Sequence, residues 1–598
     1  MKNTRDPNEP LLFDNTTVGL TPVARNLLKG SWWELMRTAI LRLMPVERIG
    51  AKLSEKTGRP SKELYSVCAL LFVKDYFGWT FREAVERYVF DVRVRYAFNI
   101  QECGPELSEA TLYRYSRLFT ENKAAAEIFT RVTLSLVEAM SIDTSRQRLD
   151  STHVDGNMAV LSRKGLLYNV IQNFLVQLKR RFATEYGRLP QDLLDRYGRH
   201  NGWIFAESDG MRRKGVAKSL EASVLVSDLV FLAKRFGGQA GIADMTSFKH
   251  LLRVLSEQVE AQTEKQADGT PSLKRHPGGK VLVNPSDPDA EAGHKGTGYQ
   301  VQVAETYGDG DRPSIVTTVV PQGGSEVDSA SLGAVLDAAE ENGVKPERLL
   351  CDAGYGSNAN VGMAAGRGVW LVSPCTCSAS LASHGDSYID LCTFDGANRM
   401  TACANGVAPL SCKRYESKRG LPAQWRAVFR PEDCDNCPFK DRCPARREGR
   451  RTVFNYLDSQ AATKARRDHE RTDEFRDEYR PRSGIEATFG RLKQFTPLGR
   501  LRVRGRDRVF SQIEAIFAMH NIMQSVAYVF RNCLGALVAA AAAMKGKAGK
   551  AGMAPGEPFP GLVRLFSWLL RAFDVFSDQK PEIRTASTNA SGLRIICI

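Results

Sequence analysis

No apolar stretch in this chain is long enough to cross a bilayer. The longest, residues 534–544, falls short, and His520, Asn521, Gln524 and Arg531 precede it. The opening residues, MKNTRDPNEP, are polar and carry no apolar signal core. These absences argue against membrane and secreted classes, so a cytoplasmic protein is expected. Acidic residues are in deficit: 68 Asp and Glu against 83 Lys and Arg leave a formal net charge of +15. That balance favours a polyanionic partner. Thirteen cysteines, an odd number unevenly spread, do not suit a disulfide framework. In a cytosolic chain they point to thiols plus a local metal cluster. No internal repeat is evident. What the chain does have is length: 598 residues predict several domains and ample core.

The most informative stretch is YRPRSGIEATFGRLK, residues 479–493. It fits Tyr-x2-Arg-x3-Glu-x6-Lys at Tyr479, Arg482, Glu486 and Lys493. An α-helix turns about 100° per residue, so Arg482, Glu486 and Lys493 would lie within roughly 60° of one another. One acid flanked by two bases on a single stripe can hold a divalent cation and a phosphate together. The bland alternative is a solvated face with an i, i+4 ion pair. By ordinary residue frequencies the pattern should arise by chance in about one chain in a few hundred of this length. Pro481 suits a first helical turn but not an interior. Tyr479 is therefore expected just before the helix, or on a kink.

Two other acids stand where strands are expected. QRLDSTHV, residues 147–154, suits a short strand with Asp150 in its middle and Asp155 just beyond it. SIVTTVV, residues 314–320, reads as a buried β-branched strand, followed by a helix over 326–342 that Gly343 ends. RLLCDAGYGS, residues 348–357, is a short apolar strand with Asp352 at its carboxyl end and glycines after it. Open α/β sheets place active-site groups there.

The rest of the chain reads as helices and inserts. Residues 64–77 are apolar enough for a buried helix. Thr80 with Glu83 makes a capping box for a helix reaching residue 97. Ser108 opens another, with Leu112, Tyr115 and Leu118 on one stripe and Arg114 and Arg117 outside it; a helix over 124–140 continues the pattern. Helical stripes recur at 166–182, 219–236 and 248–259. A Gly/Pro/Asp-rich loop over 267–295 then leads into YQVQVAET, and its Lys295 is either a phosphate contact or a charged loop tip. Cys434, Cys437 and Cys443 crowd together as zinc or iron–sulfur ligands do, beside Arg446, Arg447, Arg450 and Arg451, a plausible phosphate rail. Arg500, Arg502, Arg504, Arg506 and Arg508 alternate, as on an extended basic arm. An apolar helix is expected over 509–529, a linker over 545–560 and a short amphipathic helix over 562–576.

The Tyr-x2-Arg-x3-Glu-x6-Lys motif resembles the signature of IS4-type insertion-sequence transposases, and the chain looks most like the IS1182 branch. GWTFREAVERY, LSEATLYRYSR, Asp150-Ser151-Thr152 and the Asp352, Gly354, Tyr355 pattern carry the likeness elsewhere. The resemblance implies an α/β fold with an RNase H-like catalytic core, a helical N-terminal domain, a helical insertion and a Cys-rich insertion. The expected boundaries are 1–145 for the DNA-binding helical domain and 146–373 for the first part of the core, with its helical insertion at about 160–266. The Cys-rich basic insertion covers 374–457, the Glu-bearing and closing helices 458–544, and a linker and tail 545–598.

By the same resemblance, Asp150, Asp352 and Glu486 are the catalytic acids holding two Mg²⁺, with Asp155 as the alternative to Asp150. Tyr479, Arg482 and Lys493, with Arg500, Arg502 and Arg504, would bind DNA or its phosphates. Cys392 would join Cys434, Cys437 and Cys443 on a structural zinc, although the Pro of the family's Tyr-x-Cys-Pro is missing and Cys403 or Cys412 could serve. The implied partners are double-stranded DNA, as transposon terminal repeats and target, and a second copy of the chain, working at the nucleoid. The competing readings are a zinc-bearing DNA-binding regulator without catalysis and an RNase H-like nuclease without strand transfer.

Overall fold

A computed structural model describes residues 2–548, apart from 8, 10–12, 30, 56, 103–104, 198–221, 261–272, 309, 311, 377–387 and 417–422, and without the side chains of 529–548. The helix expected over 562–576 and the tail lie outside the described residues. The chain divides into two compact units, residues 1–74, 79–124 and 522–598 in one, 75–78 and 125–521 in the other.

The first unit is helical among its described residues. Helix Leu64–Phe77 is buried nearly all round from Leu64 to Lys74, as its apolar run requires. The capping box forms: Thr80 Oγ1 accepts from Glu83 N at 3.1 Å and Glu83 Oε2 from Thr80 N at 2.7 Å. The helix it starts does not reach residue 97. It stops at Phe90, because extended Asp91 (ψ 113°) caps a new helix, Val92–Ala97, by accepting from Arg93 N at 2.9 Å. A short polar side chain here competes with the helical ladder and wins. Ser108 caps Glu109–Glu121 as expected, but Phe119 rather than Leu118 completes the buried stripe with Leu112 and Tyr115.

The second unit is mixed α/β. Its main sheet holds β1 (Arg146–Asp155), β2 (Glu291–Gly293), β3 (Gly296–Thr306), β4 (Val316–Gly323), β5 (Arg348–Cys351) and β6 (Trp370–Val372). The order is β2-β3-β1-β5-β6, with β4 also on β3. β3 runs antiparallel to β1 and β4, whereas β1, β5 and β6 are mutually parallel. Helix Asp328–Glu341 crosses from β4 to β5 and buries Leu332, Val335 and Leu336 against Leu149, Leu349 and Cys351. The helical insertion follows β1: Arg163–Arg181, Ala222–Phe236 and Thr246–Gln258 share one apolar cluster around Phe174, Phe236 and Phe248.

After β6 the chain builds a second sheet from β7 (Ser411–Tyr415), β8 (Gln424–Phe429), β9 (Arg446–Glu448) and β10 (Arg451–Leu457), ordered β9-β10-β8-β7 and antiparallel. Helices Asp458–Glu470, Asp473–Tyr479 and Gly484–Phe495 follow. The last helix runs from Arg506 to Ala548 and takes in the first four residues of the expected linker. No helix among the described residues is long and apolar enough to cross a membrane.

The last helix docks through Asn521, which accepts from Val316 N at 2.9 Å and donates to Val316 O at 2.7 Å. Beside it His520 is buried, and burial pulls its imidazole down to about 3, assisted by Arg491. The folded state therefore refuses a proton that the unfolded chain accepts near 6.5. Stability present above that value should be lost as pH falls toward 3, by up to ~1.4 kcal/mol per pH unit. Urea unfolding at successive pH values should show this slope, flattened in His520→Leu.

Candidate active site

The register of β1 against β5 creates the site. Leu149 pairs with Cys351 at the end of that ladder, so the next residues on the two parallel strands are Asp150 and Asp352. Asp352 leaves the sheet at once. Its Oδ1 accepts from Gly354 N at 2.8 Å and opens a 3-10 turn, Ala353–Tyr355.

The third acid arrives from far along the chain. Helix Asp473–Tyr479 ends at Tyr479, and Pro481 sits in a 3-10 turn, Arg480–Ser483, before Gly484–Phe495 begins. Tyr479 is thus just ahead of the Glu486 helix, one of the two positions expected. Glu305 holds this turn against the sheet. It lies opposite Arg148 in the β1/β3 register and takes that guanidinium at 2.7 Å. It also accepts from Thr488 Oγ1 at 3.0 Å, while Arg148 donates to Pro481 O at 2.7 Å. Gly484 is required beneath Arg148, because a Cβ there would collide with the guanidinium. The Glu305 side chain is 1% exposed and that of Arg148 12%. Glu305→Ala should therefore strand a buried cation and cost about 3–5 kcal/mol in chemical denaturation.

All three acids meet one guanidinium. Arg482 stands 2.8 Å from Asp150 Oδ2, 3.8 Å from Asp352 Oδ2 and 2.5 Å from Glu486 Oε1. Side-chain exposure rises from 11% at Asp150 through 33% at Asp352 to 61% at Glu486, so the cluster opens toward the helix. Burial pushes the Asp150 carboxyl up; Arg482 opposes that shift and the charge of Asp352 adds to it. Three carboxylates on one cation leave the cluster short of positive charge, and an oxygen-only donor set suits a hard divalent ion. The acids are gathered by Arg482 and not about a common point: among the described residues no group of three or more His, Cys, Asp or Glu stands ready to hold a metal.

The other expected site residues are placed as follows. Tyr479 stacks on Phe475, centroids 5.4 Å apart, and burial lifts its phenol to about 12, so it stays protonated. Lys493 is exposed on the Glu486 helix, in the field of Asp155 and Lys295. Asp155, the alternative first acid, is 61% exposed and pairs with His153 at 3.0 Å, while its backbone forms an isolated β-bridge with that of Arg500. The alternating arginines form no free extended arm. Arg502 donates to Gly78 O at 3.1 Å, Arg504 donates to Asn157 O, and Arg506 already belongs to the last helix, because Gly505 and Asp289 anchor its start. Lys295 does sit at a loop tip, in the two-residue turn between β2 and β3, but its ammonium turns onto the protein. It pairs with Asp328 at 3.0 Å, and Ser151 Oγ donates to Asp328 at 2.6 Å. Burial favours protonation of Asp328, but Ser151, Gln302 and Lys295 outweigh it and hold the carboxyl below its usual value. Asp328 and Glu305 belong to no motif. Only the polar positions in otherwise apolar strand and helix patterns could have flagged them.

The expected zinc set is not assembled. Cys392 is buried in an apolar cluster with Ile389, Trp425 and Phe454, its thiol directed to Tyr388 O at 3.6 Å. Cys412 contacts the Tyr456 hydroxyl at 3.4 Å. Cys434, Cys437 and Cys443 are half-buried, and the nine cysteines whose side chains are described are free thiols. Cys403, Cys434 and Cys443 pack against the same cluster as Cys392, and Cys392 and Cys434 each lie in the field of Cys403 and Cys443, but among the described residues no group of three or more His, Cys, Asp or Glu is placed to hold a metal.

Residues 402–526 match the model of a family described as a transposase DDE domain. The match takes in Glu486 and the start of the last helix, and neither Asp150 nor Asp352. No curated protein and no solved structure matches the chain. The family match supports a DDE transposase.

Proposed function

We propose that the protein is a DDE transposase of the IS4 type, most like the IS1182 branch, acting on double-stranded DNA with Asp150, Asp352 and Glu486 as its catalytic acids. The observation that carries this reading is the meeting of those three carboxylates, from three distant segments, on Arg482. The sheet order supports an RNase H-like core: an antiparallel β4-β3-β1 meander continued by parallel β5 and β6.

The three acids would hold Mg²⁺, which when bound activates the attacking oxygen and stabilises the leaving one during in-line displacement at phosphorus. The chain's own groups do the rest. Arg482 offers its fork to the non-bridging phosphate oxygens, and its buried Nε has no acceptor among the described residues. Protonated Tyr479 donates a hydrogen bond near the cut, and Lys493 adds charge along the same helix. Water attacks first, and the freed 3′-hydroxyl then attacks target DNA. Arg114, exposed on Glu109–Glu121, suits the helical N-terminal region to terminal DNA.

The test is incubation of the full chain with Mg²⁺ and a plasmid carrying the DNA that flanks its coding sequence. End-specific cleavage with 3′ ends joined to a second DNA is expected. Hydrolysis without end preference or joining would instead identify a nuclease, and binding without cleavage a regulator.

A further inference from the structure

Asp150 and Asp352 lie just past the end of the β1/β5 ladder. Beyond Leu149 and Cys351 no backbone pairing ties one acid's segment to the other's, and two carboxylates at a sheet's rim repel. A chain of buried side chains spans that gap. Ser151 follows Asp150, to which its amide donates at 2.8 Å, and its hydroxyl donates to Asp328 Oδ1 at 2.6 Å. Gln302, opposite Ser151 in the β1/β3 register, donates to the same oxygen at 3.1 Å. The Tyr355 hydroxyl donates to Gln302 Oε1, and the Tyr355 amide donates to Asp352 O at 3.1 Å. Lys295 supplies the countercharge to Asp328 Oδ2 at 3.0 Å and donates to Ser151 Oγ. Gln302 and Tyr355 are fully buried, so a half-satisfied network would be costly.

We infer that Asp328 is a positioning residue, and that the Ser151–Asp328–Gln302–Tyr355 bridge sets the separation of Asp150 and Asp352. Both oxygens of Asp328 are spent on protein donors, so it is not itself a metal ligand. The inference rests on the proposed function for its meaning in catalysis, but the bridge's effect on cation binding can be measured without turnover. A 1 Å error between reacting groups can cost about a hundredfold in rate.

The experiment compares wild type, Asp328→Asn, Tyr355→Phe and the double variant. Three quantities are read: Mn²⁺ affinity without DNA by electron paramagnetic resonance, kcat and KM for cleavage, and melting temperature. Each single variant should bind Mn²⁺ at least ~10-fold more weakly and lose about 100-fold in kcat, with KM for DNA unchanged. Because both residues act through one bridge, the double variant should be no worse than the poorer single. Effects that add, losses that track melting temperature, or wild-type Mn²⁺ affinity in both singles would overturn the inference. Should Asp328→Asn fail to fold, Tyr355→Phe carries the same comparison alone. A wild-type protein that binds Mn²⁺ and cleaves nothing would defeat the proposed function, while the affinity series still decides the bridge.

Discussion

Glu486→Gln is expected to lower DNA cleavage by about a thousandfold or more, roughly 4 kcal/mol of barrier, with DNA affinity and melting temperature unchanged. The expectation comes from where Glu486 sits. Its side chain is 61% exposed and its one ion pair is an i, i+4 contact with Arg482. Exposed pairs of that kind contribute about 0.3–0.5 kcal/mol, so the fold should not notice the change. Cleavage should, because an amide oxygen is a poorer partner for a hard cation than a carboxylate. Asp150→Asn makes the informative contrast. Asp150 is buried against Arg482, so its replacement should cost stability as well as cleavage. Near-normal cleavage by Glu486→Gln, measured on labelled linear DNA in Mg²⁺, would remove this residue from the mechanism.

Arg482→Ala should produce the other large effect. The side chain is 14% exposed and is the cation that Asp150, Asp352 and Glu486 share. Without it a buried carboxylate is left unpaired beside another, which should cost about 3–5 kcal/mol. Lysine should not rescue the loss, since one ammonium cannot reproduce a planar fork reaching three partners. The same excess of negative charge should make a divalent ion more welcome. Added Mg²⁺ or Ca²⁺ should therefore raise the melting temperature of Arg482→Ala by more than that of wild type. Cleavage should stay low even with the ion present, because the phosphate has lost its donor. An equal thermal shift in the two proteins would show that Arg482 and the cation do not compete for the same carboxylates.

What could be seen in the residues alone was whatever repeats or punctuates. Helix Leu64–Phe77, the Thr80 box, the Ser108 cap and the break at Pro481 announce themselves locally, and each is found where its chemistry predicts. Strand β1 was visible over 147–154 from few apolar residues, and it gains one residue at each end as Arg146–Asp155; what the residues alone did not show is how its buried polar groups are satisfied, since Gln147 and Ser151 bond to Thr317 and Asp328. The alternating arginines after residue 499 matched an extended period, yet side-chain-to-carbonyl bonds and an early helix start override a pattern of two. Asp328 and Glu305 had no local signal beyond a polar residue in an otherwise apolar pattern. Each owes its place to residues more than twenty positions away, and such complementarity becomes legible only when strands are set side by side.

The bond from Arg148 to the Pro481 carbonyl spans 333 positions. At a synthesis rate of about 5–20 residues per second, Arg148 and its neighbour Asp150 leave the ribosome tens of seconds before the turn that will clasp them. Throughout that interval Glu305 and Arg148 can find each other, but the acid that completes the trio does not yet exist. A nascent chain halted anywhere before this turn carries a nearly finished sheet and no assembled trio of acids.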